Sequence, residues 1–438
     1  MRSFLFHLMV LAEITFAGVG CGSRRGSLPK DTDVLHANQE RLTQVIIYDI
    51  FTPPVAARIY AYTSLASYEA IRFASPGAPS LTARMHGFAP MPLPDTGKAY
   101  DFTLAASRAF FTVARKVVFS VDSLADYEQG LMKQYQDALD PATYDRSVRF
   151  GDSVGQVVLA RANADNYLQT RGKPKFLGSN EPGKWHPTPP DYLDGVEWCW
   201  NTMKTLVMDS ASQFRPVPPP PFSLDSTSEF FKGVMDVYQT SRSLTEEQKT
   251  IALYWDDNSF TMQHAGHLMF GNKKITPGGH WMGITAIACR QSGADAVKTA
   301  RAYALTATAL FEGFISCWDE KYRSSVIRPV SVINEHIDHD WVPLLQTPSF
   351  PEYTSAHSTI TGAAAVVLTR LFGDQFAFQD TSDLRYIGMQ RHFASFLQAA
   401  DETSISRLYG GIHYRLSVNR GAECGRRIGA FIVQRLYP

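Results

Sequence analysis

The last third of the chain gathers the residue types that hold a small, highly charged anion, in three short blocks. In KYRSSVIRP, Lys321 and Arg328 stand seven residues apart, and Pro329 follows Arg328 directly. That spacing is close to two helical turns, so both cations share one side if the helix runs that far. Pro329 disfavours helical geometry at Arg328 and is expected to end the helix there. In PSFPEYTSAHS, residues 348–358, prolines keep the entry extended, Ser355 takes an N-cap position and an apolar helix follows. The free N–H groups and positive dipole end of such a helix form an anion site. His357 lies in the first turn, placed to exchange protons with a bound anion. In SRLYGGIH, residues 406–413, Gly410 and Gly411 permit a tight path that lets Arg407 and His413 converge. Taken singly, the blocks read as a solvated cationic face, a capped helix with a surface histidine, and a loop. Together they form a kit for a tetrahedral oxyanion whose charge grows in a transition state. A nucleic-acid phosphate would not need the histidines.

These residues must be positioned by helices. Apolar residues recur at helical spacing over 101–118, 300–318 and 357–372, the last stretch stopped by Gly373. Alternating strand patterns with Asn-Gly or Asp-Gly turns are nearly absent. The expected fold is all-α, built of helical bundles, with the oxyanion site in the C-terminal bundle. FRPVPPPPFS, residues 214–223, forces an extended path and reads as a strap between helical halves. The expected organisation is a signal segment over 1–20, an N-terminal helical region over 21–222, and a C-terminal helical domain over 223–438.

Composition sets the outer bounds. The chain has 438 residues, with 42 Lys+Arg against 42 Asp+Glu, so no basic excess draws it onto nucleic acid or an acidic membrane. With 45% hydrophobic and 19% charged residues it has the material for a large core. Arg2, an apolar run and small residues precede Cys21, the layout of an export signal. It resembles a bacterial lipoprotein signal, with Cys21 as the lipidated residue and a periplasmic or outer-surface location. That anchor is the expected route to a membrane. Cys199, Cys289, Cys317 and Cys424 form no CxxC pair and read as buried free thiols. GxSxG, GxxxxGK[ST], HExxH and GxGxxG motifs are missing. His264 and His267 could share a helix face, but a metal site needs further ligands and nothing fixes the nearby Asp256 and Asp257 in place, so they read as satisfied polar histidines. His280, in PGGHW, reads as a turn residue packed on Trp281.

The three blocks resemble the signature K-x6-R-P, P-S-G-H, S-R-x5-H of type 2 phosphatidic-acid phosphatases and vanadium-dependent haloperoxidases, and the wider chain resembles the soluble bacterial haloperoxidase-like branch. The resemblance implies a vanadate cofactor and oxidation of a halide by hydrogen peroxide to hypohalous acid. It makes His413 the axial vanadium ligand. Lys321, Arg328 and Arg407 neutralise equatorial oxygens, Ser355 and the Ala356 N–H donate to them, and His357 is the acid/base. Trp318 and Phe350 match aromatic positions on the halide side of fungal-type chloroperoxidases. Asp257, in YWDDN, corresponds to an acid that steadies one arginine. Two positions depart from the pattern: Ala356 replaces the usual Gly, and Ser417 stands where phosphatases carry Asp, leaving His413 without its expected carboxylate. Phosphate shares vanadate's charge and shape. The alternatives are therefore a phosphatase acting on a soluble phosphoester through a phosphohistidine at His413, and a surface lipoprotein that binds an oxyanion without turnover.

Overall fold

The computed structural model describes residues 27–437, apart from 260, 261, 266 and 272 and the side chains of the short strands around them. The export signal over 1–20 and the lipidation site at Cys21 lie outside the described residues. Helices dominate what is described, and no helix there is long and apolar enough to cross a membrane. Two small antiparallel ladders interrupt them. One pairs Met262–Ala265 with Leu268–Gly271, and the other pairs Phe378–Asp380 with Arg391–Phe393. The first ladder puts His264 in a strand and His267 in its turn, so they share no helix face.

The stripe expected over 300–318 lies inside a longer helix, Ala296–Ser324, whose start is capped by Asp295 accepting from Lys298 N–H at 2.7 Å. This helix is buried along most of its length because it is covered on two sides. Pro53–Ile71, begun by prolines, packs on one side, and Ala356–Phe372 on the other. The stripe of 101–118 becomes Phe102–Val117, capped by Asp101 and packed against Pro53–Ile71. Tyr62, Trp200, Phe311 and Ile360 belong to one continuous apolar cluster, so residues on both sides of the proline-rich strap share a core. The strap itself is non-helical and is tied down by Tyr353 Oη, which donates to Val217 O at 2.6 Å. Cys199, Cys289, Cys317 and Cys424 are buried and unbridged.

The closest helix packing follows from glycine spacing. The last helix, Arg415–Leu436, carries Gly421, Gly425 and Gly429 one turn apart, facing Ala356–Phe372. A Cβ on Gly425 would stand 2.0 Å from Thr359 O, and one on Gly421 would stand 2.7 Å from Ser355 O. The missing side chains let the two backbones approach and hold the Ser355 end against the last helix.

Candidate active site

The two cations of the first block meet across a helix break, not on one helix face. The long central helix ends at Ser324, Ser325 turns in the left-handed region at φ 50°, and Arg328 is the extended N-cap of a new helix, Pro329–His336. Pro329 therefore starts a helix where the sequence pattern has it ending one. The extended segment after Ser349 threads between the two cations and takes their hydrogen bonds. Lys321 Nζ donates to Pro351 O at 2.9 Å and Glu352 O at 3.0 Å, and Arg328 Nε donates to Phe350 O at 2.8 Å. Arg328 Nη1 donates to Ile412 O at 2.8 Å and lies 3.2 Å from His413 Nε2. The Gly410–Gly411 turn, with Gly411 at φ 77°, closes through Ile412 N–H to Arg407 O at 3.3 Å and delivers His413 to this point.

Arg407 comes in from the helix Phe396–Tyr409. Its Nη1 lies 3.5 Å from His357 Nε2, its Nε donates to Ser406 Oγ at 3.0 Å, and its Nη2 donates to Trp255 O. Ser355 caps the helix Ala356–Phe372 as expected, and its Oγ accepts from Ser358 N–H at 3.3 Å and Ser358 Oγ at 2.8 Å. The first-turn N–H groups of Ala356 and His357 have no partner within their own helix. Ala356 sits in ordinary helical backbone, so its Cβ is accommodated.

The carboxylate expected to be lost with Ser417 is supplied from elsewhere. Glu352 Oε1 lies 2.7 Å from His413 Nδ1 and also accepts from Tyr414 N–H at 3.1 Å. Since Oε1 is already an acceptor, Nδ1 carries the proton and the Nε2 lone pair faces the cations. Ser417 Oγ instead donates to Glu352 O at 3.4 Å. Asp257 acts on an arginine through its charge alone: with Asp256 it works against the burial that lowers Arg407. Its carboxylate faces His280 at 3.1 and 3.2 Å and makes no hydrogen bond to an arginine. Backbone carbonyls take the Arg407 hydrogen bonds, from Trp255 and, at 3.5 Å, Asp256. His280 is no turn residue: it lies buried in the first turn of the helix Pro277–Gln291, its ring stacked on Trp255 at 4.6 Å.

The electrostatics are those of a cationic pocket walled off from water. Burial, reinforced by Arg328, pushes Lys321 down to about 7, and burial lowers Arg328 and Arg407 to about 10 each. Burial and the neighbouring cations hold His357 and His413 well below the usual histidine range, so both are neutral. Burial raises Glu352 to about 7 against the pull of Arg328 and Lys321. Arg328 Nη2 is buried with no hydrogen-bond partner among the described residues. Three buried cations, two neutral imidazoles and a helix start, with Glu352 turned toward His413, fit an oxyanion of high charge.

A cleft opens onto His357 and Arg407. Phe350 lines it, and Trp318 stands behind Phe350 at 5.0 Å, its Nε1 donating to Val196 O. Pro53, Pro189, Leu193 and Val196 form part of the wall, so the N-terminal half helps to enclose a site whose charged groups come from the C-terminal half.

A helical fold around a buried oxyanion cradle with a histidine at its apex defines a class, and comparison with known proteins sharpens it. Residues 301–437 match a family profile described as the VCPO second helical-bundle domain. The crystal structure of the first bacterial vanadium-dependent iodoperoxidase is 44% identical, with a TM-score of 0.88 over 93% of this chain and 97% of that one. A holo-type bacterial vanadium-dependent chloroperoxidase superposes with a TM-score of 0.69 at 18% identity, covering 94% of this chain and 98% of that one, a likeness of fold. A comparison with curated proteins yields no match. The chain belongs to the vanadium-dependent haloperoxidases.

Proposed function

We propose that this enzyme oxidises iodide with hydrogen peroxide, using vanadate held in the cradle around His413. The overall change is X⁻ + H₂O₂ + H⁺ → HOX + H₂O. The observation that carries the proposal is the convergence of Lys321, Arg328 and Arg407 on a neutral His413 whose Nε2 lone pair is turned toward the cations by the Glu352 contact at Nδ1. The choice of iodide rests on the 44% identical iodoperoxidase. His413 Nε2 would ligate the vanadium, the three cations would balance the oxygens, and Ser355 and the Ala356 N–H would donate to them. When bound, vanadate supplies a Lewis-acidic centre that activates peroxide toward halide. His357, neutral beside Arg407, is poised to take a proton from incoming peroxide at Nε2 and return it to departing water. Phe350 and the apolar wall favour a large, weakly hydrated halide at the cleft mouth.

The test uses purified protein, orthovanadate, peroxide and iodide, with triiodide as readout and bromination of a dione in parallel. Vanadate-dependent turnover abolished in His413→Ala is expected; turnover that ignores vanadate would sink the proposal. A second reading has its own support. Glu352 gives His413 the carboxylate partner that a nucleophilic histidine needs, so the vanadate-free protein is expected to hydrolyse p-nitrophenyl phosphate slowly and to be inhibited by vanadate. Export through residues 1–20 and lipid attachment at Cys21 complete the proposal, supported by the Arg2–apolar–small–Cys order. Mass spectrometry of the mature N-terminus tests them.

A further inference from the structure

We propose that Asp257, His280 and Asp383 form a second inorganic site, a buried divalent-cation site that takes Zn²⁺ and braces the turn holding Arg407. The three residues come from distant segments: a turn after the helix Glu246–Tyr254, the first turn of Pro277–Gln291, and the loop after the strand Phe378–Asp380. All are buried, and one ligand atom from each lies within 4.8 Å of the others.

The imidazole fixes the polarity of the cluster. His280 Nε2 lies 2.9 Å from Asp380 Oδ2, and Asp380 is itself held by Ser382 N–H at 3.0 Å. A histidine that gives one N–H to a carboxylate turns its other nitrogen outward as a ligand, the usual arrangement behind a protein-bound metal. Here that nitrogen, Nδ1, faces both oxygens of Asp257 at 3.1 and 3.2 Å and Asp383 Oδ2 at 3.4 Å. A lone pair and two carboxylates do not gather out of water unless positive charge lies among them.

A proton on Nδ1 is the simpler source of that charge, and, against burial, the neighbouring aspartates hold His280 well above the usual histidine range; yet such a proton serves Asp257 and leaves Asp383 unserved. One N–H aims at one oxygen, and a charge-assisted bond of this kind closes to about 2.7–2.9 Å. The two Asp257 contacts are long for such a bond, at the far end of the ordinary N–H···O range, and Asp383 Oδ2 at 3.4 Å lies outside it. Asp383 Oδ1 is, moreover, buried without a hydrogen-bond partner among the described residues, an acceptor that a proton on Nδ1 leaves unsatisfied and a cation would not. Imidazole selects transition ions over Ca²⁺ and Mg²⁺, and a donor set of one nitrogen and two carboxylates suits Zn²⁺ with one position left for water.

The consequence for the oxyanion pocket is mechanical. Asp257 is the third residue of Trp255–Asp256–Asp257, and Trp255 O and Asp256 O accept from Arg407. Asp257 holds φ 42°, and the Trp255 ring stacks on His280. A cation joining Asp257 to His280 would pin this turn from behind.

The experiment uses the full mature chain, free of vanadate and phosphate, stripped with EDTA and titrated with ZnCl₂. Metal content by mass spectrometry and the thermal midpoint are the readouts, so failure of halide oxidation has no bearing on the result. Wild type is expected to bind one zinc per chain and to melt higher with it. Asp383→Asn, which preserves shape, is expected to lose that zinc and that shift, and Asp380→Asn to bind it about 10–100-fold more weakly. His280→Ala serves as a ligand deletion if it folds, and the asparagine variants decide if it does not. Equal zinc in wild type and Asp383→Asn, or none in either, would overturn the proposal.

Discussion

Glu352 decides which nitrogen of His413 carries its proton. With Oε1 2.7 Å from Nδ1, the carboxylate keeps the imidazole in one tautomer and one orientation, and Nε2 stays free for a ligand. Glu352→Gln keeps an acceptor in place but loses the charge, so vanadate affinity is expected to fall about 10-fold or more while the fold survives. Equilibrium dialysis against vanadate, with circular dichroism as control, checks it; unchanged affinity would show that Glu352 is only packing. The cation and histidine positions were legible in the sequence because their spacing is local. Glu352 was not, although it lies inside the second block. It reaches His413 along an extended segment, and no periodicity announces which way an extended residue's carboxylate points. The partners of Asp257 were hidden for a related reason: they lie 23 and 100 or more residues apart along the chain, and only the tertiary fold brings them together.

Between helices, the stripe of Gly421, Gly425 and Gly429 sets how close the last helix comes to the one that begins at Ser355. Gly425→Ala drives a Cβ into Thr359 O, where backbone must move, and is expected to cost about 2 kcal/mol or more. Gly130 is the control. It lies exposed inside the helix Val121–Ala138, and a Cβ added there would meet nothing within 4 Å, so Gly130→Ala is expected to stabilise by about 0.5–1 kcal/mol. Thermal denaturation of both variants measures the contrast; equal midpoints would refute the packing argument. The helices themselves were readable from apolar periodicity, and Gly373 marks the end of Ala356–Phe372 as expected. The break between Lys321 and Arg328 was not. A proline is compatible with the end of one helix and with the first residue of the next, and the packing of the segment around Phe350 selects the second.

For the whole molecule, the zero net charge conceals charges placed where water cannot reach them. Lys321, Arg328 and Arg407 are all buried, as are Asp257, Asp380 and Asp383. Stability should therefore follow particular buried groups and not the net charge. His36 illustrates this: its Nδ1 lies 2.6 Å from Tyr303 Oη, joining the first described helix to the central one, and burial pushes it down to about 4. An unfolded chain protonates this histidine below about 6.5 and the folded chain only below about 4. The unfolded state thus binds the extra proton across that window. The contribution is complete above pH 6.5 and is lost as pH falls toward 4, by about 3 kcal/mol. His36→Gln should flatten that part of the stability profile in urea titrations run from pH 7 to 4, and an unchanged slope would assign the acid sensitivity to other groups.

The wall of the cleft has a further consequence. Pro53, Pro189, Leu193 and Val196 shape the approach to His357 and Arg407, yet none of them carries a charge that the anion needs. Entry therefore draws on both stretches of the chain, since Phe350 and its neighbours line the cleft as well. A lineage, or an engineer, can still retune which molecules are admitted at these four positions while every group that would hold the anion stays as it is.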